Sequence, residues 1–191
     1  MLKIVTKIFF ICFVLLLAGC LQSELDIYKE QVEKGKSDKK KVNDIFMGIS
    51  LGMGNKEFYM HCWDMNKKGL FTDGSGNTAV KYKLDKNELK HPAEMNFYPE
   101  FENGKIARMW VKFQYDGWVP WNKKLDSDDL LGDVLQLYKK WYPDGNEFLT
   151  ISDKEKGTIY VKVDGNRRII IGRFDDVQVK VDYTDLSALD K

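Results

Sequence analysis

Ala93-Glu94-Met95-Asn96-Phe97-Tyr98-Pro99-Glu100-Phe101, followed by Glu102-Asn103-Gly104-Lys105 and then Ile106-Ala107-Arg108-Met109-Trp110-Val111-Lys112-Phe113-Gln114-Tyr115, reads as a β-hairpin. Asn-Gly tolerates the positive φ of a tight turn, and both flanking runs alternate with period two. Met95, Phe97, Pro99 and Phe101 then share the core face with Met109, Val111, Phe113 and Tyr115. Tyr98, Trp110, Lys112 and Gln114 face the other way.

Outward from the hairpin, Ile45–Leu51 reads as a strand ended by Gly52-Met53-Gly54. A helix is expected over about Asn55–Lys68, with Phe58, Cys62 and Met65 at i, i+4, i+7, flanked by Tyr59 and Trp63. Asp73-Gly74-Ser75-Gly76-Asn77 reads as a loop and Thr78–Leu84 as a strand that places Lys81 and Lys83 on the outer face. Asp126-Ser127-Asp128-Asp129 starts a second helix, with acids at the positive end of its dipole. Its stripe is Leu131, Val134, Leu135, Tyr138 and Trp141, and Pro143-Asp144-Gly145 ends it. Strands follow near Thr158–Val163, Arg167–Arg173 and Val177–Tyr183, with Tyr160, Lys162, Ile170, Gln178 and Lys180 expected outward. The order predicts an α+β fold of two tandem units, residues 45–120 and 121–191. Each is a helix plus a three-stranded antiparallel meander, with the helices on one face of the sheet.

The 191 residues are 43% apolar and 31% charged, with 30 basic and 29 acidic side chains. That suffices for a real core, and the even charge gives no support to a nucleic-acid partner. Three Cys and two His leave little for a disulfide framework or a zinc site.

At the N-terminus, Lys3 and Lys7 precede the apolar run Ile8–Ala18 and then Gly19-Cys20. As a helix this run spans about 16 Å, too short for a bilayer core of about 30 Å, whereas a signal peptide over residues 1–19 fits. Leu17-Ala18-Gly19-Cys20 resembles the lipobox of bacterial lipoproteins. The resemblance implies diacylglycerol on the Cys20 thiol, cleavage after Gly19 and further acylation, giving a stable lipid anchor without a spanning helix. The alternative is a plain secreted protein. Leu21 rather than Asp after the Cys resembles an outer-membrane address; Glu24 and Asp26 leave open whether the protein faces the periplasm or the cell surface. Residues 20–44 read as a lipidated tether. Leu25, Tyr28 and Val32 allow a short amphipathic helix, and Lys34-Gly35-Lys36-Ser37-Asp38-Lys39-Lys40-Lys41 reads as a solvated linker that could also attract anionic lipid.

Phe46-Met47-Gly48-Ile49-x-Leu51-Gly52, with Glu57-Phe58 and Lys68-Gly69-Leu70, resembles an opening shared by small bacterial envelope lipoproteins of unknown function. The element order over 45–184 is similar to BamE-like assembly lipoproteins and the β-lactamase inhibitor protein. That likeness implies helices over one sheet face and a protein-binding surface on the other, and it carries over no functional residue.

Several constellations have plain readings. Gly52-Met53-Gly54-Asn55-Lys56-Glu57 puts an acid where a dinucleotide needs a small residue, so it is a turn into a helix. His61 and Cys62 diverge by about 100° on a helix, and no third metal ligand has suitable spacing. Cys62 is better read as a small core residue. The 73–78 loop lacks the Gly and Glu of a calcium site. No cofactor is implied.

Two surfaces remain. The outer face, with Tyr98, Trp110, Lys112, Gln114, Lys81, Lys83, Tyr160, Lys162 and Lys180, resembles a recognition surface, unless a second layer or the tether helix covers its aromatics. Trp118 and Trp121, in Tyr115-Asp116-Gly117-Trp118-Val119-Pro120-Trp121-Asn122, either stack on a sugar or partner or, the favoured reading, plug the joint between units. The function expected is a non-enzymatic, membrane-anchored binding or assembly lipoprotein that engages an envelope protein or glycan. The alternatives are an envelope polysaccharide hydrolase or lyase, which needs paired carboxylates across a cleft, and a purely structural lipoprotein.

Overall fold

The structure, a computed structural model, describes residues 23–74, 76, 79–85, 87–154 and 157–189. The expected signal peptide and Cys20 lie outside the described residues, as do Ser75, Asn77 and Thr78 of the 73–78 loop. No described helix is long and apolar enough to cross a membrane.

Helix α1 (Glu24–Ser37) starts at Ser23, whose Oγ accepts from Asp26 N. Helix α2 (Asn55–Lys67) starts after Gly54, where Glu57 reaches back to the Gly54 N–H. Four strands follow: β1 (Phe71–Asp73), β2 (Val80–Lys83), β3 (Ala93–Glu102) and β4 (Lys105–Tyr115). Helix α3 (Ser127–Trp141) is capped by Asp126, which accepts from the N–H groups of Asp128 and Asp129. Four more strands follow it: β5 (Leu149–Asp153), β6 (Gly157–Asp164), β7 (Arg167–Arg173) and β8 (Gln178–Asp185).

All eight form one antiparallel sheet in the order β1-β2-β3-β4-β8-β7-β6-β5. Each central helix is therefore followed by four strands where three were expected. The additional ones are the edge strands β1 and β5, runs of three and five residues too short for a period to announce itself. The β3–β4 turn is as read, with Asn103 and Gly104 both at positive φ (51° and 75°).

The core lies on the inner face. Phe97, Met109, Val111, Phe113, Val179, Val181, Tyr183, Ile169 and Ile171 are buried there against Leu130, Val134, Leu137 and Tyr138 of α3. Residues 45–51 do not form the expected strand. Met47 (φ 48°) and Gly48 (φ 83°) turn the chain back so that Ile45 N–H donates to the Ile49 carbonyl. The run is apolar because it fills the core: Phe46 packs edge-on to Phe97 at 4.9 Å and near Tyr183 and Trp141.

Helix α2 buries Phe58 and leaves Cys62 and Met65 half-buried, while Tyr59, Met60 and Trp63 face solvent. The broad apolar stripe expected there is narrower, because α2 packs at the β1 edge rather than over the sheet centre. Lys67 Nζ sits 3.4 Å from the centre of the Trp63 ring.

Residues 34–37, expected as solvated linker, complete α1, which packs on the outer face of β5 and β6. Gly35 is buried against the Gly165 carbonyl, Leu186 and Val163, and Val42 N–H donates to Asn166 Oδ1 at 2.8 Å. Beneath α1, Val161, Val163, Ile151 and Leu186 form a buried patch separate from the main core.

Candidate functional site: the outer sheet face

Register aligns the outer side chains into rows across four strands. Lys83, Glu94, Gln114 and Gln178 form one row; Lys81, Asn96, Lys112 and Lys180 form the next. In the third, Tyr98 stands directly opposite Trp110, and Trp110 opposite Asp182. Tyr98, Trp110, Lys112, Gln114, Lys81 and Lys180 are half-buried and Lys83 is exposed. Neither α1 nor α3 packs over this half of the face, since α1 rests on β5–β6 and α3 covers the inner side.

The cations here have local partners. Lys81 pairs with Glu94 at 3.3 Å and Lys180 with Asp182 at 2.7 Å. Lys112 Nζ lies 3.6 Å from the centre of the Phe174 ring, and Gln178 Nε2 donates to Gln114 Oε1 at 3.0 Å. Partly exposed pairs of this kind contribute about 0–1 kcal/mol each, so an incoming group can replace them cheaply. The hydroxyls of Tyr59 and Tyr98 are 3.0 Å apart, carrying the aromatic strip from the sheet onto α2. That hydrogen bond and partial burial raise the Tyr59 phenol above its usual value. Tyr59 and Phe174 extend the site beyond what alternation shows, because one sits on a helix and the other in the β7–β8 turn.

Tyr160 and Lys162 are not on this face. The β6–β7 register sets Tyr160 opposite Ile171 and Lys162 opposite Ile169, on the inner side. The usual rule, apolar inside and polar outside, inverts in β6 because α1 covers its outer side and buries Val161 and Val163 there. Lys162 is 2% exposed. Its ammonium donates to the carbonyls of Tyr142 (3.0 Å), Asp144 (2.7 Å) and Asn146 (2.6 Å), holding the turn after α3. Asp164, 3.5 Å away, balances its charge.

Trp121 is 81% exposed, so it does not plug the joint between halves. That joint is closed by the β4–β8 ladder. Trp118 is half-buried and lines a cleft of about 450 Å³ beside Arg173, which pairs with Asp128 at 2.9 Å and Asp176 at 3.0 Å.

Burial pushes the Cys62 thiol up to about 11, which makes it a poor nucleophile at neutral pH. Among the described residues no group of three His, Cys, Asp or Glu side chains is placed to hold a metal. No protein-family model matches the chain, no curated protein matches its sequence and no solved structure matches its fold.

Proposed function

We propose that this chain is a membrane-anchored envelope lipoprotein that works as a non-enzymatic binding or assembly module through the outer face of β2, β3, β4 and β8. The observation that carries the reading is the Tyr98–Trp110 pair. Two large aromatics stand directly opposite one another, each partly exposed, on the part of the outer face that neither α1 nor α3 covers. Such a face resembles an interface core with a polar rim of exchangeable pairs. Its openness suits an envelope protein partner better than a glycan, which is held in slots.

The helix-and-four-strand order, repeated and joined at β4 and β8, is what a duplicated unit of the BamE-like kind would give. Cys20 stands three residues before Ser23, the cap of the docked helix α1. Lipid there would hold the sheet close to the bilayer by its β5–β6 end, with an outer-membrane destination suggested by Leu21.

Changing Tyr98 and Trp110 together to Ala should reduce recovery of the partner from solubilised envelope at least tenfold while the melting temperature stays put. Unchanged recovery, or a parallel fall in melting temperature, overturns the reading. Palmitate should label the wild type and spare Cys20→Ser.

The polysaccharide hydrolase alternative has one observation in its favour, a carboxylate-lined cleft at the end of α3. Its expected signature is cleavage of a cell-wall polysaccharide that is lost in Asp44→Asn or Asp144→Asn.

A further inference from the structure

The segment after α1 and the turn after α3 enclose a cleft of about 660 Å³ that shares no residue with the Tyr98–Trp110 row. Its size lies in the range of small-ligand sites. The lining carries the carboxylates of Asp38, Asp44, Glu88, Asp144 and Asp164 against the cations Lys40 and Arg167, and Asp164 is already paired with Arg167 and with Lys162. Four aromatic residues also line it: Phe46 and Tyr142 are buried, Trp141 and Tyr82 half-buried.

The charge arrangement is built from below. Arg167 is 5% exposed; it donates to the Asp44 carbonyl at 2.6 Å, pairs with Asp164 at 3.2 Å and stacks over the Tyr142 ring at 4.5 Å. Lys162, beneath the lining, holds the Asp144 carbonyl as described. Both buried cations are thus committed to backbone and to Asp164. In return they fix the main chain at Asp44 and Asp144, the two acidic residues of the lining that are exposed. Helix α3 also ends here at Trp141, and the carbonyl of its C-cap Tyr142 already accepts from Lys162.

Exposed carboxylates on a fixed main chain, beside aromatic walls, favour one kind of guest. We propose that this cleft is a second binding site, distinct from the sheet face, for a cationic side chain of a peptide or protein: an ammonium or guanidinium on an alkyl stem. The charged end meets Asp44 and Asp144, and the alkyl stem packs on the apolar faces of Trp141 and Tyr82. The site requires neither lipid on Cys20 nor the Tyr98–Trp110 row, so it stands or falls separately from the proposed function.

The test is calorimetric titration of the detergent-solubilised full chain with Nα-acetyl-lysine methylamide and its uncharged counterpart lacking the ammonium, Nα-acetyl-norleucine methylamide. The lysine probe should bind at least tenfold more tightly, and its affinity should fall as salt rises. Asp44→Asn with Asp144→Asn should remove that preference without lowering the melting temperature, since the buried cations hold the backbone carbonyls and not these carboxylates. Trp110→Ala should leave it unchanged. Equal binding of the two probes, no binding of either, or an unaltered preference in the double Asn variant overturns the proposal. Choline or spermidine binding more tightly than the lysine probe overturns the assignment to a peptide side chain.

Discussion

Gly35 of α1 lies against the Gly165 carbonyl so closely that a Cβ added to Gly35 would come within 2.5 Å of that oxygen and 2.7 Å of Leu186 Cδ1. The contact makes α1 part of the fold, and it reverses the usual sign of a substitution. On a free helix Gly→Ala gains about 1 kcal/mol. Here Gly35→Ala must lift α1 off β6, an overpacking cost of about 1–3 kcal/mol. A lower melting temperature and faster proteolysis within residues 24–37 are expected; a more stable variant would mean that α1 is undocked.

Lys162→Met should be far more damaging than a surface lysine change. It leaves three carbonyls and Asp164 without the buried ammonium, and breaking a buried pair from one side costs about 3–5 kcal/mol. Lys83→Met on the outer face should change stability by less than about 0.5 kcal/mol. Urea unfolding of the two variants side by side checks the contrast.

Acid should weaken the fold through Asp133. Burial alone would raise this carboxyl. Tyr115 donates to it at 2.7 Å, Lys90 N–H at 3.2 Å and Lys90 Nζ pairs with it at 2.9 Å; together these outweigh burial and hold it below its usual 3.8. A carboxyl depressed in the folded state contributes stability that is fully present above the unfolded value. That stability is lost as pH falls from about 4 through the lowered one. Asp133→Asn should be less stable at neutral pH and show a shallower decline below pH 4, read from unfolding midpoints across pH.

Alkali should act through the tyrosines under α3. Burial raises Tyr142 to about 12 and lifts Tyr138 and Tyr183 well above 10. Unfolded tyrosine ionises near 10, so the unfolded chain releases protons first and stability falls as pH rises beyond 10. Tyr142 also donates to the Ile45 carbonyl and shares a 2.8 Å contact with the Tyr183 hydroxyl. Tyr142→Phe should cost about 1 kcal/mol at neutral pH and flatten the decline between pH 10 and 12, followed by circular dichroism with phenolate absorbance.

The hairpin 93–115, helices α2 and α3, and the outward placement of Tyr98, Trp110, Lys112 and Gln114 were legible because alternation and capping are local properties. The turn at Met47-Gly48 was not. An apolar run of seven residues satisfies a buried strand and a buried turn equally, and only Phe97, Tyr183 and Trp141 decide between them. Tyr59 reached the site unannounced because the helix carrying it lies at the sheet edge.

By itself the sequence determined the period of every strand except the edge strands β1 and β5, the ends of the central helices and the N-terminal Leu17-Ala18-Gly19-Cys20 signature. Each of these depends on residues a few positions apart. Tertiary structure alone decided which side of β6 is inside, where α1 rests, and that Lys162 and Arg167 stiffen a cleft. Burial is set by whatever element arrives from elsewhere in the chain. Residues 23–37 meet residues 149–165 only in three dimensions, and that meeting turns a lysine expected at the surface into one sealed beneath the turn after α3.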